Sequence, residues 1–468
     1  MRRAPFALIA ALLCGCPLAH APPREQVVGE ALPDGTSIPP AFASPNAAGE
    51  VANDWLASFD DPDMRRVVQE AIAHNPDLRA AAESVEIARQ NVTVVGAALL
   101  PQVGAKVSGS HTYDEGDDHH YDSSLEWVGV AWEIDVWGRL RAERAAAQAQ
   151  YQASALDYAF ARQSLAATTA KSWYLAIETR RLLALAQDTV AAYRHLADLV
   201  GQRYAAGKVG KLDVAQAGAS LSASETALRA ALSDDLKARR ALELLIGRYP
   251  DAEIQVAPSF PPSPPAVPAG LPAALLERRP DLVAAEQGVI AAFREHESAE
   301  LALLPSFSLS IGGGHFDDGI LSLLRLNPWM ARGTLGVDIP IYEGGAMVAQ
   351  IQIADAEQTR AVASYGSAVL QAFGEAETAL SNERLLAEEI HFADASVSDR
   401  TRALDMMKTR YLVGATDLLA VIQTQTYLIE TEAELLQLRY AALANRIDLH
   451  LAIGGSFDAA SATGVPQP

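Results

Sequence analysis

Two hydrophobic rhythms alternate along this 468-residue chain, and each occurs twice. In "SFSLSIGGG" (Ser306 to Gly314), Phe307, Leu309 and Ile311 fall on one side and serines on the other. "TLGVDIPIY" (Thr334 to Tyr342) puts Leu335, Val337, Ile339 and Ile341 on one face, opposite Gly336, Asp338 and Pro340. "VGVAWEIDV" (Val128 to Val136) sets Val128, Val130, Trp132, Ile134 and Val136 against Gly129, Ala131, Glu133 and Asp135. "VGAKVSGSH" (Val103 to His111) is the weakest of the four. A period of two with one apolar face predicts half-buried strands, here arranged as two hairpins. The second rhythm is helical. No Gly or Pro occurs from Arg139 to Val200, so a helix there would extend about 90 Å at 1.5 Å per residue. Leu182, Leu185, Thr189, Ala192, Leu196 and Leu199 lie at heptad spacing, as do Val362, Tyr365, Val369, Ala372, Ala376 and Ala379. Small residues in such seams let helices approach closely. A helix of about 30 residues precedes each hairpin (near Pro62 to Ala98 and near Pro272 to Leu303), and a Gly-containing break and a further helix follow each long helix.

The order recurs because the sequence recurs. "NPDL" (Asn75 to Leu78) answers "RPDL" (Arg279 to Leu282), and Leu99-Leu100-Pro101 answers Leu303-Leu304-Pro305 at the same offset of 204. "RYAAGKVGKLDVAQ" (Arg203 to Gln216) matches "RYLVGATDLLAVIQ" (Arg410 to Gln423) at 207, and "LLIG" (Leu244 to Gly247) matches "LAIG" (Leu451 to Gly454) at 207. Four ordered matches with a drift of three residues indicate a duplication with small insertions, at a period far too long for a solenoid.

Composition narrows the function. Formal charge is −21 and no basic run occurs, which argues against nucleic-acid binding. Hydrophobic residues make up 50%, enough for a core, and aromatics only 6%. Alanine is plentiful, which favours helices. "MRRAPFALIAALLCGC" opens with Arg2 and Arg3 and an apolar run too short to span a bilayer, the pattern of a secretory signal. Leu13-Cys14-Gly15-Cys16 resembles a bacterial lipobox with Cys16 as the lipidated residue, although Cys14 is an unusual second residue. The other reading is an ordinary signal with two incidental cysteines. Pro17 rather than Asp follows Cys16, which for bacterial lipoproteins points to the outer membrane. No later stretch reaches about 18 uninterrupted apolar residues, which rules out a transmembrane helix but leaves a β-barrel open.

Prolines divide the chain. The expected organisation is a signal peptide over 1–15, a lipidated tether over 16–54 and a first repeat over 55–250, with its hairpin near 102–136 and helices over 139–246. A Pro-rich linker over 251–271 follows, then a second repeat over 272–455, with its hairpin near 305–342 and helices over 345–453, and a tail over 456–468. Four strands cannot close a barrel, since the smallest have about eight. Lipid cannot satisfy the edges of an open sheet. A barrel built from these strands must therefore be shared between chains.

From Trp55 to Gly455 the chain resembles the TolC-like outer-membrane factors of tripartite efflux pumps, in the lipoprotein branch called NodT-type. The carriers are "NPDL", "LLPQ", "WEIDVWGRLRAERAAA" (Trp132 to Ala147), "RYAAGKVGKLDVAQA", "RPDL", "LLPS", "IPIYEGG" (Ile339 to Gly345), "RYLVGATDLL" and "LAIGG". Each is weak alone; in order and duplicated they are specific. The resemblance implies a mainly α protein with a transmembrane β part. Three chains would form a 12-stranded outer-membrane barrel, four strands from each, continued by a long periplasmic α-helical barrel. Such a homotrimer is an exit duct, docked to a periplasmic adaptor and an inner-membrane, proton-driven pump. It needs no cofactor and performs no catalysis. The competing reading is a lipid-anchored periplasmic coiled-coil scaffold, which delipidation would free from membranes.

The same resemblance assigns roles to the two breaks. It places adaptor docking at Arg203, Tyr204, Gly207, Arg410, Tyr411 and Gly414. Members often carry acids just after the second turn, where this chain has Ala420 and Gln423. An acidic constriction would then use Asp213 or Asp417, with Leu419 and Gln423 narrowing the pore; a local role in holding the turn is the alternative. Catalytic spacings such as His-x-x-x-His or Gly-x-Ser-x-Gly do not occur. One dense polar cluster, "YDEGDDHHYD" (Tyr113 to Asp122), could offer oxygen and imidazole ligands to a divalent metal. It reads first as a solvated loop between strands.

Overall fold

The computed structural model describes residues 18–33, 35–44, 49–114, 119–317 and 330–459. Cys16, and residues 115–118 of the acidic loop, lie outside the described residues. After α1 (Arg24–Ala31), one plan is executed twice. The first round is α2 (Pro62–His74), α3 (Pro76–Gly96), β1 (Gln102–Asp114), β2 (His119–Ile134), α4 (Arg139–Ala205) and α5 (Lys211–Leu245). The second is α6 (Leu275–Arg278), α7 (Pro280–Leu301), β3 (Ser306–Asp317), β4 (Met330–Asp338), α8 (Ala346–Leu412) and α9 (Leu418–Ala452). α4 and α8 are each 67 residues long, and α5 and α9 are each 35. No helix among the described residues is long and apolar enough to cross a membrane.

The leading helix of each repeat, expected as one piece, is two. Pro76 and Pro280 lack the N–H that would bond the preceding turn, and they force the residue before them out of the helical region. Asn75 accordingly sits at φ −64°, ψ 125° and Arg279 at φ −83°, ψ 115°. Asn75 also caps α3, its side-chain oxygen accepting the Leu78 N–H at 3.0 Å. The widely separated motifs of each repeat meet here. Asn75 Nδ2 donates to the Leu245 carbonyl at 3.0 Å, and Arg279 Nη1 donates to the Ala452 carbonyl at 3.4 Å. Gly247 and Gly454 follow these carbonyls at φ +75° and +70°. A Cβ on Gly247 would lie 2.8 Å from the His74 carbonyl oxygen, and one on Gly454 2.9 Å from Arg278 Cβ.

The chain forms two compact units. One comprises residues up to Thr36, Glu83–Ala155 and Ala284–Ala368. It contains a single antiparallel sheet in the order β1-β2-β3-β4, so the hairpins join through β2 and β3. The registers align the apolar positions: Val103 faces Val130, which faces Ile311; Trp132 pairs with Leu309 and Leu309 with Leu335; Ile134 pairs with Phe307 and Phe307 with Val337. At the end of β2, Asp135 receives the N–H groups of Gly138, Leu140 and Arg141 at 3.1–3.2 Å and so starts α4. Arg139 bridges Glu133 and Glu143 at 2.7 and 2.6 Å. The acids of "WEIDVWGRLRAE" thus build the strand-to-helix junction.

The first part of the expected tether, up to Thr36, is folded onto this unit. Ala19 N–H donates to Glu297 at 2.7 Å and its carbonyl accepts from Arg294 at 2.7 Å. Arg24 pairs with Glu286 at 2.8 Å, and the Ala31 carbonyl lies directly against Gly366, leaving no room for a Cβ there.

The other unit comprises Ser37–Ala82, Leu156–Val283 and Val369–Pro468. Its core gathers Trp55, Phe59, Met64, Trp173, Tyr174, Ile177, Leu242, Ile246 and Ile447. Asp61 caps α2 through the Met64 N–H at 2.9 Å and also accepts from Trp173 Nε1 at 3.0 Å. The Pro-rich segment between repeats is extended and anchored. Glu243 accepts the N–H groups of Ala252 and Ile254 at 2.7 and 2.9 Å, and Ile254 and Val256 are buried. Further along this unit, the Ala43 and Ser44 N–H groups donate to the Glu377 carboxylate at 2.6 and 2.9 Å.

Candidate functional site

Two regions carry functional expectations: the helix turns and the faces of the sheet. The turns are near copies. Gly207 lies at φ +69° and Gly414 at φ +79°, the left-handed conformation that ends a helix without side-chain strain. The Gly207 N–H bonds the Tyr204 carbonyl at 2.9 Å and the Lys208 N–H bonds the Arg203 carbonyl at 2.9 Å. In the second turn Gly414 bonds Tyr411 at 3.1 Å and Ala415 bonds Arg410 at 2.9 Å.

The acids sit where the following helices start, but at different places. Asp213, in the first turn of α5, reaches back to accept the Gly210 N–H at 2.9 Å. Asp417 precedes α9 and reaches forward to the Ala420 N–H at 2.9 Å. Each turn therefore keeps one half of a reciprocal cap, and the carboxylate moves from the position of Ala420 to that of Gly210 between repeats. Both carboxylates also complement the positive end of a helix dipole. Leu419 and Gln423, on α9, are exposed.

The arginines and tyrosines of the turns divide into two pairs. Arg203 lays its guanidinium over the Tyr411 ring, 4.7 Å from the centroid, and donates to the Tyr411 and Leu412 carbonyls at 3.3 and 3.2 Å. It thereby satisfies the C-terminal carbonyls of α8, a favourable place for a cation. Tyr411 is only 4% exposed and packs with Val200, Ala217, Leu418 and Val421. Burial, with the nearby Asp213 carboxylate, raises the Tyr411 phenol above its usual range against the lowering effect of Arg203. Arg410 and Tyr204 occupy the equivalent positions but are exposed.

The sheet sorts its residues by alternation. One face carries Val103, Val128, Val130, Trp132, Ile134, Phe307, Leu309, Ile311, Leu335 and Val337, with Glu126 and His315 in register beyond them. The other carries Gly104, Lys106, Trp127, Gly129, Ser308, Ser310, Gly312, Arg332 and Thr334 by register. The Trp127 indole lies across Gly129 and Gly312, close enough that a Cβ on either would collide with the ring. Sequence reading missed this cluster. Its available signal was the pair of glycines in register with one another, beside an aromatic on the polar face.

Among the described residues, no group of His, Cys, Asp and Glu is arranged to hold a metal. Two buried titratable side chains stand apart from both regions. Burial pushes Glu178 up to about 7. His450 stacks on Trp55 with ring centroids 5.7 Å apart, and burial beside Arg446 drives it down to about 3.

The family model described as "Outer membrane efflux protein" matches residues 67–248 and 271–455, one span for each repeat. The chain belongs to this family. Among curated relatives, the pyoverdine export outer membrane protein OpmQ of Pseudomonas aeruginosa is 29% identical over 418 residues, which are 86% of this chain and 87% of OpmQ. SilC of Salmonella typhimurium, named a probable outer membrane lipoprotein, is 26% identical, covering 90% of this chain and 91% of SilC. A crystal structure of CusC, solved in work on its folding and transmembrane channel formation, superposes with a TM-score of 0.81 at 26% identity, over 94% of this chain and 99% of that one; a CusC of Escherichia coli is also a curated relative, named a cation efflux system protein. The fold is that of an outer-membrane efflux channel, an α-helical part with a β part of four strands. Family members are outer-membrane ducts of tripartite efflux systems and act in transport.

Proposed function

We propose that three copies of this chain assemble into one outer-membrane exit duct for small molecules. The observation that carries the proposal is the sheet: a face that is apolar over four successive rows, from Ile134, Phe307 and Val337 to Val128, Gly313 and Ala331, with β1 and β4 left as edges. An apolar face suits lipid, but open edges do not, because hydrocarbon offers no partner for backbone N–H and C=O groups. Pairing β4 of one copy with β1 of the next removes every edge, and three copies give twelve strands. The face with Lys106, Trp127, Ser310 and Arg332 then lines the pore.

Cys16 would be the lipidated residue, in keeping with the lipoprotein SilC. The position of Ala19 supports this reading. It is pinned to Arg294 and Glu297 on α7, the helix that leads into β3. Three Cα-to-Cα steps separate it from Cys16, at most about 11 Å. An acyl chain on Cys16 would then start close to α7, the helix that leads into β3.

The two turns would receive the periplasmic adaptor. Gly207 and Gly414 shape them, Tyr204 and Arg410 are exposed on them, and Arg203 with Tyr411 braces them from behind. Leu212, Leu412 and Val413 are exposed beside them, and exposed apolar side chains grouped in this way mark a protein-binding surface. Asp213 and Asp417 hold the turn geometry, and Leu419 and Gln423 narrow the pore. An inner-membrane proton-driven pump supplies the energy. The relatives' named cargoes, pyoverdine for one and a cation for another, fix no cargo for this chain.

The test is the mass of detergent-extracted protein by light scattering corrected for bound detergent, followed by conductance in planar bilayers. Three copies with large, steady conductance are expected. A stable monomer refutes the duct.

A further inference from the structure

The contact between the two turns is made once within a chain, yet its components are present twice. The first repeat supplies Arg203 and Leu199, and the second supplies Tyr411 and Val421. The counterparts at the constant offset of 207 are Arg410, Met406, Tyr204 and Val214. Each is exposed where its twin is covered. Tyr204 is 42% exposed against 4% for Tyr411, and Val214 is 39% against 1% for Val421. Met406 is 67% exposed where Leu199 packs on the cluster. Among the described residues the Arg410 guanidinium has no hydrogen-bond or ion-pair partner, whereas Arg203 has two carbonyls and a ring.

An arginine and a tyrosine that match a buried pair, but remain apart and uncovered in one chain, fit each other in a second copy of it. We propose that Arg410 of one copy lies over Tyr204 of the neighbouring copy and donates to the last carbonyls of that copy's α4, reproducing the Arg203–Tyr411 contact between chains. This deepens the proposed trimeric duct and rests on it. The six turns then form a ring in which contacts within and between chains alternate. The ring is not uniform. Lys211 stands where the second repeat has the fully buried Leu418, so the contact between chains is less apolar than its twin. It is the joint that gives way first.

The experiment is thiol cross-linking of the full-length protein in native membranes. The double variant R410C/Y204C is treated with a short bifunctional thiol reagent and run under denaturing conditions. Covalent dimers and trimers are expected from it, and dimers only when R410C and Y204C single variants are co-expressed. Neither single variant alone should link. R203C/Y411C is the control and should link within one chain, so it migrates as a monomer. If R410C/Y204C stays monomeric while the control links and light scattering still gives three copies, the contact is refuted and the duct survives. If light scattering gives one copy, both readings fall. Should the double variant fail to assemble, the single substitution Arg410→p-benzoylphenylalanine keeps the question open to measurement. Photolysis must then label the segment containing Tyr204 in another chain, and labelling confined to its own chain overturns the proposal.

Discussion

Two glycines at helix ends, Gly247 and Gly207, separate backbone conformation from packing. Both lie at positive φ, +75° and +69°. A left-handed conformation at a residue with a Cβ costs about 1–2 kcal/mol. Gly207 faces open space, with nothing within 4 Å of the point a Cβ would occupy, so Gly207→Ala should cost only that amount. Gly247 faces backbone, where the new methyl would sit 2.8 Å from the His74 carbonyl oxygen and 3.3 Å from its carbon. Backbone cannot rotate away as a side chain can. Either α2 or α5 must shift, breaking the Asn75–Leu245 hydrogen bond at 3.0 Å. Overpacking adds about 1–3 kcal/mol, and the lost hydrogen bond about 1 kcal/mol. Gly247→Ala should therefore cost about 3–6 kcal/mol in total. Thermal denaturation of the detergent-extracted protein, followed by circular dichroism, measures the comparison. Melting shifts should be compared rather than converted to free energies, since a multi-unit protein need not unfold in two states. The shift for Gly247→Ala should be at least twice that for Gly207→Ala. Equal shifts would refute the idea that the recurring Gly is there for close approach, and would leave only its conformation.

Three further outcomes follow from the same contacts. Arg279→Ala removes a buried guanidinium held by Asp281 and Glu375 at 2.7 Å each; since both carboxylates reach water, the expected loss is about 2–3 kcal/mol rather than the 3–5 of a fully buried pair, measured by the same melts. His450 is held neutral, with its pKa lowered to about 3 from 6.5, so its favourable contribution is complete above pH 6.5 and is lost as pH falls from there towards 3; His450→Phe should flatten the melting temperature across that window, and an unchanged slope would assign acid sensitivity elsewhere. On the sheet, Leu309→Lys places a charge on the apolar face at about 2–4 kcal/mol and should abolish trimers in light scattering, whereas Ser310→Lys on the other face should leave trimers intact and shift ion preference towards anions in bilayers.

Much of the fold was legible because its signals are local and repeated. Four alternating segments and two long stretches without proline needed no tertiary context, and the strand registers keep the apolar positions on one face as alternation requires. What the sequence concealed depends on contacts between distant segments. Asn75-Pro76 and Arg279-Pro280 were visible as repeats, but their work as helix breaks that also seize a carbonyl some 170 residues away emerges only when α5 and α9 return to them. The N-terminal segment reads as an extended tether because its prolines forbid regular structure; nothing local announces Glu286, Glu297 and Glu377 as its partners. At the turns, resemblance offered Arg203 and Tyr411 as residues facing a partner, and the structure shows them gripping each other. Two identical tripeptide-scale motifs cannot reveal which copy is covered.

The N-terminal segment also imposes an order in time. Ala19 is held by residues made 275 and 278 positions later, and Ser44 by one made 333 later. During synthesis and export the front of the chain must therefore wait, unfolded, until the second repeat has emerged. That delay is an interval in which the proposed lipidation of Cys16 would take place, before Ala19 is drawn down onto α7. The proposed modification would thus precede docking, and a chain truncated before residue 286 would remain open at its leading end, never fastened by the part it was meant to meet.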